Sequence, residues 1–438
     1  MQTLVLGPPA PTPLGADDQA AAVLANLERH WRAGACVALV AAAEQALLQA
    51  ELGRGGMPAL ADHGAAVLLG SGGSSGGRRW CLQPLAHLQA SADATGHWLA
   101  GLGIDPAACL HLNPLPLHHV SGLMPLVRVR RWRARLAGLA PALLRDPSVL
   151  VEAVPLPADR PVLLSLVPTQ LRRLLAVPAA VAWLRRCAVI WVGGAALDAD
   201  LAARARSEAL QLAPCYGATE TAAMVAALAP GQFLAGASGC GVPLADVELR
   251  AMAGRGILEV RTARLSPGWL ENGTLRPLPL AAGGWWRSGD VGRLDGAGLL
   301  VHGRWDGAIS SGAETVFPEQ LEERLRRQAA AAGLPLAAVL LLAEADPEWG
   351  ERLVALVRPG GAAEADGPGA AAAEGRTAAA LLAALERLVA AWPAPERPRR
   401  WQLCPELAPS ALGKWQRQRW RRWLEAQGRQ VRYQPAEP

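Results

Sequence analysis

Between residues 65 and 209 the chain alternates short apolar runs with helical patterns. "AAVLLG" (65–70) and "PVLLSLVP" (161–168) read as buried strands. "TQLRRLLAVPAAVAWLRR" (169–186) reads as a helix, "CAVIWVGG" (187–194) as a strand ending in a glycine turn, and "LDADLAARARSEA" (197–209) as another helix. A strand too apolar to face water on either side must be covered by helices on both, and strands joined through helices run parallel. The expected fold is therefore α/β: a large N-terminal domain with mainly parallel sheets. Residues 17–52 extend the pattern as helix, short buried strand (36–41) and helix.

From about residue 240 the period shortens. "VELRAM", "GILEVRT" and "WWRSGDVGRLDGAGLLVHGRW", punctuated by turn glycines, predict a β-rich subregion. After Trp305 a smaller α+β unit is expected, with helices over 317–331 and 375–392 and the strands "LAAVLLLAEAD" and "RLVALVRP" between them. The predicted domains are 1–305 and 306–438. "GGAAEADGPGAAAAEG" (360–375) is low in complexity and reads as a flexible surface insertion. The tail "WQRQRWRRWLEAQGRQ" predicts an amphipathic helix with its tryptophans packed inward, in preference to an RNA- or membrane-binding patch.

Composition narrows the class. A net charge of +5 over 438 residues is too mild to indicate a nucleic-acid binder. Seven cysteines at 36, 81, 109, 187, 215, 240 and 404 form no CxxC pair, which argues against a disulfide framework or zinc site and for a reducing, cytoplasmic setting. The opening "MQTLVLGPPAPTPLGADDQ" has no basic start or long apolar core, so it does not read as a signal peptide, and no run is long enough to span a membrane. One lysine, Lys414, stands among 43 basic residues. Where arginine is the default cation, a retained lysine suggests a site that a planar guanidinium cannot serve.

Four stretches can carry chemistry. "SGGSSGGRR" (71–79) follows a predicted strand. Its glycines let main-chain N–H groups turn toward an anion, Ser71, Ser74 and Ser75 add hydroxyls, and Arg78 and Arg79 add charge. The same letters also suit a linker. "YGATE" places Tyr216, Gly217, Thr219 and Glu220 together. A carboxylate after a tight glycine turn suits Mg²⁺, Thr219 can reach a phosphate and Tyr216 can pack on a base, although an ordinary turn would read the same way. In "SGD…GRWDG", Asp290 suits a pair of ribose hydroxyls, Arg304 offers a fork of donors, and Asp306-Gly307 looks like an interdomain turn. The fourth is "SALGKWQR" with Lys414.

In this order the four motifs resemble the acyl- and aryl-CoA ligases, the adenylate-forming enzymes, over about residues 60 to 425. "PLHHVSGLM" resembles the family stretch whose histidine, here His119, closes the acyl pocket, and "SLVPTQLRRLL", "VGGAAL" and "SSGAETVFPEQLE" are most similar to the o-succinylbenzoate–CoA ligases of menaquinone and phylloquinone synthesis. The resemblance implies a two-step reaction with ATP, Mg²⁺ and coenzyme A. It assigns the phosphates to Ser71, Gly73, Ser74, Ser75, Gly76, Arg79 and Thr219, the metal to Glu220, and the nucleotide further to Tyr216, Gly217, Asp290 and Arg304. It assigns the acid pocket to His119, Gly194 and Ala195, the hinge of a mobile C-terminal lid to Asp306, and the bridge between attacking carboxylate and α-phosphate to Lys414; His119, Glu220 and Lys414 are the implied catalytic residues. Two departures stand out: the phosphate loop ends in Arg78-Arg79 where the family has Pro-Lys, and Asp306 is followed by Gly307 rather than a second acid.

A diacid such as o-succinylbenzoate needs a cation at the far end of its pocket, because an unpaired buried carboxylate is costly. Arg128, nine residues after His119 in an otherwise apolar stretch, is the candidate. The alternative is that Arg128 belongs to a solvated run with Arg130, Arg131 and Arg133. Expected partners are small molecules only, with neither nucleic acid nor membrane span, and a homodimer is left open. The rival functions are ligation of another aryl or medium-chain acid, and binding of a nucleotide or nucleic acid without catalysis through the basic, Trp-rich tail.

Overall fold

The computed structural model describes residues 2–6, 15–56, 60, 62–72, 78–311, 314–346, 350–360, 370–410 and 415–431. The chain divides into two compact units, one of residues 1–288 and 292–301, the other of 289–291 and 302–438.

The first unit contains two large sheets. One has seven strands in the order Val242–Pro243, Ala223–Ala227, Leu212–Ala218, Val189–Val192, Val162–Leu166, Leu110–Asn113 and Arg135–Gly138. The last five run parallel. Val162–Leu166 and Val189–Val192 are buried at every position, as their unbroken apolar sequence requires. Helices cover them: Pro168–Leu175 turns Leu171, Leu174 and Leu175 inward, and Ala199–Ser207 starts on Asp198, whose carboxylate accepts the Leu201 N–H at 2.9 Å.

The predicted helix over 169–186 is in fact two, Pro168–Leu175 and Pro178–Leu184. Pro178 lacks an N–H and pushes Val177 into an extended conformation (φ −118°, ψ 117°), so the chain breaks there and restarts with proline at the first helical position.

The other large sheet has six strands, Gln2–Leu6, Cys36–Ala41, Ala66–Gly72, Arg78–Pro84, Gly268–Glu271 and Thr274–Pro277. The first three are parallel and the rest antiparallel, so strand and return strand flank residues 73–77 as a hairpin in which Ser71 opposes Arg79. The β-rich subregion forms a third sheet from Glu248–Ala251, Ile257–Arg261, Trp285–Asp295 and Leu280–Ala281, with Gly298–Arg304 beside Trp285–Asp295.

The second unit is a five-stranded sheet built on the long antiparallel pair Leu336–Asp346 and Gly350–Pro359. One face packs on Leu321, Leu325 and Ala329 of helix Pro318–Ala331 and on Leu381 and Leu385 of helix Ala370–Leu388. The other packs on Trp420 and Leu424 of helix Arg417–Val431. Trp420 is thus inward, as the tail's pattern predicts. Helix Ala370–Leu388 starts five residues earlier than expected and absorbs residues 370–375 of the low-complexity stretch, whose alanine-rich end is good helix material. Residues 361–369 of that stretch lie outside the described residues.

All seven cysteines are free. Among the described residues no helix is long and apolar enough to cross a membrane.

Candidate active site

Glu220 is a buried residue of the first unit. Strand Leu212–Ala218 ends, residues 219–221 make a single 3₁₀ turn, and the chain returns antiparallel as Ala223–Ala227. This reversal needs two unusual features. A side chain at Gly217 would place its Cβ 2.1 Å from the Ala223 carbonyl oxygen, so only glycine fits. Ala222 and Ala223 both adopt positive φ, 51° and 78°, a conformation that alanine takes only when its surroundings impose it.

The carboxylate of Glu220 is buried yet faces no cation among the described residues. Its Oε1 accepts two hydrogen bonds, from the Ser71 hydroxyl at 2.7 Å and from the Trp269 indole N–H at 2.9 Å. Arg79 lies over the Trp269 ring, its Cζ 5.0 Å from the centroid, and is 3.8 Å from Glu271. The hairpin therefore sets Ser71, on one strand, and Arg79, on the next, around Trp269 and Glu220. Gln83 donates to the Thr219 carbonyl at 2.5 Å and fixes the turn from beneath. Gly73, Ser74, Ser75 and Gly76 lie outside the described residues.

Among the described residues no three His, Cys, Asp or Glu side chains gather around a common point. A lone carboxylate whose second oxygen, Oε2, takes no hydrogen bond from a described residue suits Mg²⁺, which takes one or two carboxylates and fills its octahedron with phosphate oxygens and water.

Behind the turn lies Arg264, with no exposed surface. It donates to the Thr221 carbonyl at 2.6 Å, the Met224 carbonyl at 2.9 Å and Asp246 at 2.6 and 3.3 Å, with Ser91 Oγ at 3.4 Å. Two residues on, the Ser266 N–H donates to the Glu220 carbonyl at 2.7 Å. Arg264, Ser266 and Trp269 carry no sequence motif, and sequence reasoning missed all three.

The acid-pocket candidates come from a second group of elements in the same unit. His119 caps helix Val120–Trp132, and Gly122 lets that helix tuck in, since a Cβ there would sit 2.2 Å from the Pro116 carbonyl oxygen. Asn113, at the end of its strand, donates to the Gly122 carbonyl at 2.9 Å and accepts from the Leu115 N–H at 3.2 Å, so it ties the His119 loop to the sheet. Gly194, at φ +81°, and Ala195 follow strand Val189–Val192, two strands along the same sheet, and are exposed.

Arg128 lies on helix Val120–Trp132 and is buried, whereas Arg131 and Arg133 are exposed and Arg130 is half-buried. Its guanidinium stacks on Trp191, 4.9 Å to the centroid, and its Nη2 lies 3.4 Å from Thr95 Oγ1. Among the described residues its Nε has no hydrogen-bond partner and no carboxylate pairs with it. Burial pulls its pKa down to about 10, with Cys215 opposing and Arg264 adding to the shift. His111, fully buried beside Trp191 at 5.6 Å between rings, has both ring nitrogens unpartnered, as is the Trp191 indole nitrogen. Burial first, and Arg128 second, hold the His111 imidazole well below its usual pKa, so it is neutral at pH 7.

In the second unit Asp290 and Arg304 come together, Oδ1 to Nη1 3.5 Å, with Arg304 about half exposed. Of Asp306 only the backbone is described, within the 3₁₀ turn Trp305–Gly307. Lys414 lies outside the described residues. Three residues on, Arg417 is buried against Glu322 (2.8 and 3.0 Å), Glu319 (3.1 Å) and the Leu341 carbonyl (2.7 Å), which fixes the start of the terminal helix.

Residues 30–256 match the family described as AMP-binding enzyme. A probable 2-succinylbenzoate–CoA ligase of Mycobacterium tuberculosis is 30% identical over 307 residues, 68% of this chain and 71% of that protein. An indoleacetate–CoA ligase of Aromatoleum aromaticum is 28% identical over 69% of this chain and 57% of its own. Among solved structures, the o-succinylbenzoate CoA synthetase of Bacillus subtilis in complex with its acyl-adenylate intermediate superposes with a TM-score of 0.71 over 96% of this chain and 87% of that one. At 18% identity, that likeness speaks for the fold alone.

Proposed function

Because this chain belongs to the AMP-binding enzyme family, we propose that it is an AMP-forming acid–thiol ligase that activates 2-succinylbenzoate and transfers it to coenzyme A. The substrate's succinyl carboxylate attacks the α-phosphorus of ATP, breaking the bond to the β-phosphate oxygen, so that acyl-adenylate forms and pyrophosphate leaves. The coenzyme A thiolate then attacks the acyl carbon and expels AMP, leaving the thioester.

Both reactants of the first step are anions, so alignment and charge stabilisation must supply most of the rate. In this reading Glu220 holds Mg²⁺, which when bound offsets phosphate charge. Ser71, Thr219, Arg79 and the loop residues Gly73, Ser74, Ser75 and Gly76 hold the phosphates. Tyr216 and Gly217 flank the base, and Asp290 with Arg304 takes the ribose. His119, Gly194 and Ala195 line the acid pocket. Lys414 bridges carboxylate and α-phosphate, a place between two anions where a slender ammonium fits and a guanidinium is too wide. Asp306 is the hinge between half-reactions.

The observation that carries the choice of acid is Arg128, a buried guanidinium with an unpartnered Nε and no carboxylate of its own. A buried cation left unpaired by the protein is expensive unless an anion from outside completes it. The aromatic carboxylate of 2-succinylbenzoate is such an anion. A monocarboxylate would leave the cost standing.

The test is pyrophosphate release with 2-succinylbenzoate and with 4-phenyl-4-oxobutanoate, which lacks the aromatic carboxylate. Strong preference for the diacid supports the reading. Values of kcat/KM within a few-fold of each other would instead favour a ligase for another aryl acid. Lys414→Ala should lower adenylate formation about 10²–10³-fold, the scale of removing one preorganised charge donor, while supplied acyl-adenylate still gives thioester. No release from any acid would leave nucleotide binding alone.

A further inference from the structure

Glu220 sits on a reversal that would not hold its shape unaided. Two successive alanines, Ala222 and Ala223, occupy the left-handed region directly after it. Such a conformation persists only where neighbours over-determine it. Beside Ser71 and Gln83, most of those neighbours come from one short segment. Arg264 grips both sides of the strained pair, through the carbonyls of Thr221 before it and Met224 after it, and is itself neutralised by Asp246. The main-chain N–H of Ser266 holds the Glu220 carbonyl, and the Ser266 hydroxyl is tied to Leu82 and Gly268. The indole of Trp269 holds the Glu220 carboxylate.

We propose that the segment Arg264–Trp269 positions Glu220, with Arg264 setting the backbone corner and Trp269 aiming the side chain so that Oε1 is occupied by the protein and Oε2 is left for the metal of the nucleotide. The inference rests on reading Glu220 as the metal carboxylate. Arg264 and Trp269 touch neither metal nor substrate in this account; both act through Glu220.

A purely structural role and a positioning role make different predictions. If Arg264 and Trp269 only stabilise the fold, their loss lowers the melting temperature and the folded fraction but leaves the properties of each folded molecule unchanged. If they position Glu220, their loss weakens what Mg²⁺ adds to nucleotide binding, molecule for molecule. The quantity to measure is the ratio of ATP affinities with Mg²⁺ and with EDTA, by isothermal titration of the full chain without acid or coenzyme A, corrected for the folded fraction.

Three variants decide. Glu220→Gln should abolish the Mg²⁺ dependence. Trp269→Phe keeps an aromatic ring for Arg79 to lie over, trims the indole and removes the N–H donor; it should cut the ratio about tenfold with metal-free affinity within about twofold of wild type. Arg264→Lys keeps the charge but cannot span two carbonyls and a carboxylate at once. It should cut the ratio at least as far. If Glu220→Gln keeps the wild-type ratio, the assignment of the metal to Glu220 is wrong. If Glu220→Gln abolishes it while Trp269→Phe and Arg264→Lys retain it, the assignment stands and the positioning inference is overturned. Should Arg264→Lys fail to fold, Trp269→Phe alone decides.

Discussion

Arg264 and Arg128 are two buried arginines of the same unit, and they are held in opposite ways. Arg264 is saturated: a carboxylate and two carbonyls hold it, with Ser91 at the edge of reach. Arg128 has an aromatic face and a distant hydroxyl, and its Nε has nothing. A satisfied buried cation is scaffold, because removing it strands the groups it served. An unsatisfied one is a standing cost that a bound water or an anionic ligand can relieve. The contrast separates a residue that holds the Glu220 turn together from one whose proposed role is to meet the substrate.

The sharpest break of that contrast is stability. Arg264→Met strands the buried carbonyls of Thr221 and Met224, while the exposed Asp246 carboxylate turns to water, and should destabilise the protein by about 1–3 kcal/mol in denaturant unfolding, the range for buried acceptors left unsatisfied. Arg128→Met strands no carboxylate and removes a desolvated charge, so its unfolding free energy should be unchanged or higher. Equal losses for the two variants would erase the distinction.

The reverse ordering should hold for the acid. Arg128→Met should lower kcat/KM for 2-succinylbenzoate about 10²-fold, near 3 kcal/mol, within the 2–5 kcal/mol expected when a buried charge loses its only partner. It should change kcat/KM for 4-phenyl-4-oxobutanoate by less than about threefold and leave the KM for ATP alone. A uniform fall for both acids would make Arg128 a packing residue.

Sequence and structure part company along the same line. The burial of Arg128 was only half legible: nine residues after His119 it interrupts an apolar stretch, but the same letters read equally as a solvated run with Arg130, Arg131 and Arg133. The turn that carries Glu220 was legible as a local pattern around Gly217, although the letters alone did not set its carboxylate apart from an ordinary turn. The parallel strands around 66–72, 162–166 and 189–192 were legible because both-sided burial writes itself as an unbroken apolar run. Arg264 was not legible. Its partners lie 18, 43 and 173 residues away in sequence, and no local pattern encodes a junction of three distant segments. Trp269 is one of 16 tryptophans with nothing in the sequence to single it out. The five-residue strand Gln2–Leu6, which ends two residues before Pro8, is recognisable only by its pairing with Cys36–Ala41. The break at Pro178 was visible in the sequence and outweighed by the helical periodicity on either side of it.

A smaller effect tests whether the Arg128 surroundings are as dry as the unpartnered nitrogens imply. His111 has its pKa held far below 6.5, by burial and then by Arg128. Below pH 6.5 the unfolded chain takes up a proton that the folded chain refuses. This group's contribution to stability is therefore complete above pH 6.5 and is lost as pH falls below it, with a slope approaching about 1.4 kcal/mol per pH unit. His111→Phe keeps a ring against Trp191 and should remove that component of the acid-side slope between pH 6.5 and 5. An unchanged slope would mean that His111 is hydrated in the folded protein.

The smallest effect belongs to Arg131, three residues along the same helix. Arg128, Arg130, Arg131 and Arg133 read in sequence as one basic run, and the helix splits them. Arg131 makes a two-pronged pair with Asp93 at 2.8 and 3.0 Å, but both side chains are roughly half exposed. Water screens such a pair and competes for its hydrogen bonds, so good geometry yields little net energy. Arg131→Ala should shift unfolding by no more than about 1 kcal/mol, with a deficit that shrinks further in high salt, and should leave kcat/KM for 2-succinylbenzoate unaltered. The measurement matters because Arg131 carries the same charge on the same helix as Arg128. If Arg131→Ala also cost tenfold or more in kcat/KM for the diacid, the acid would be drawn by the field of the whole run rather than held by one buried guanidinium, and the distinction between Arg128 and its solvated neighbours would fail.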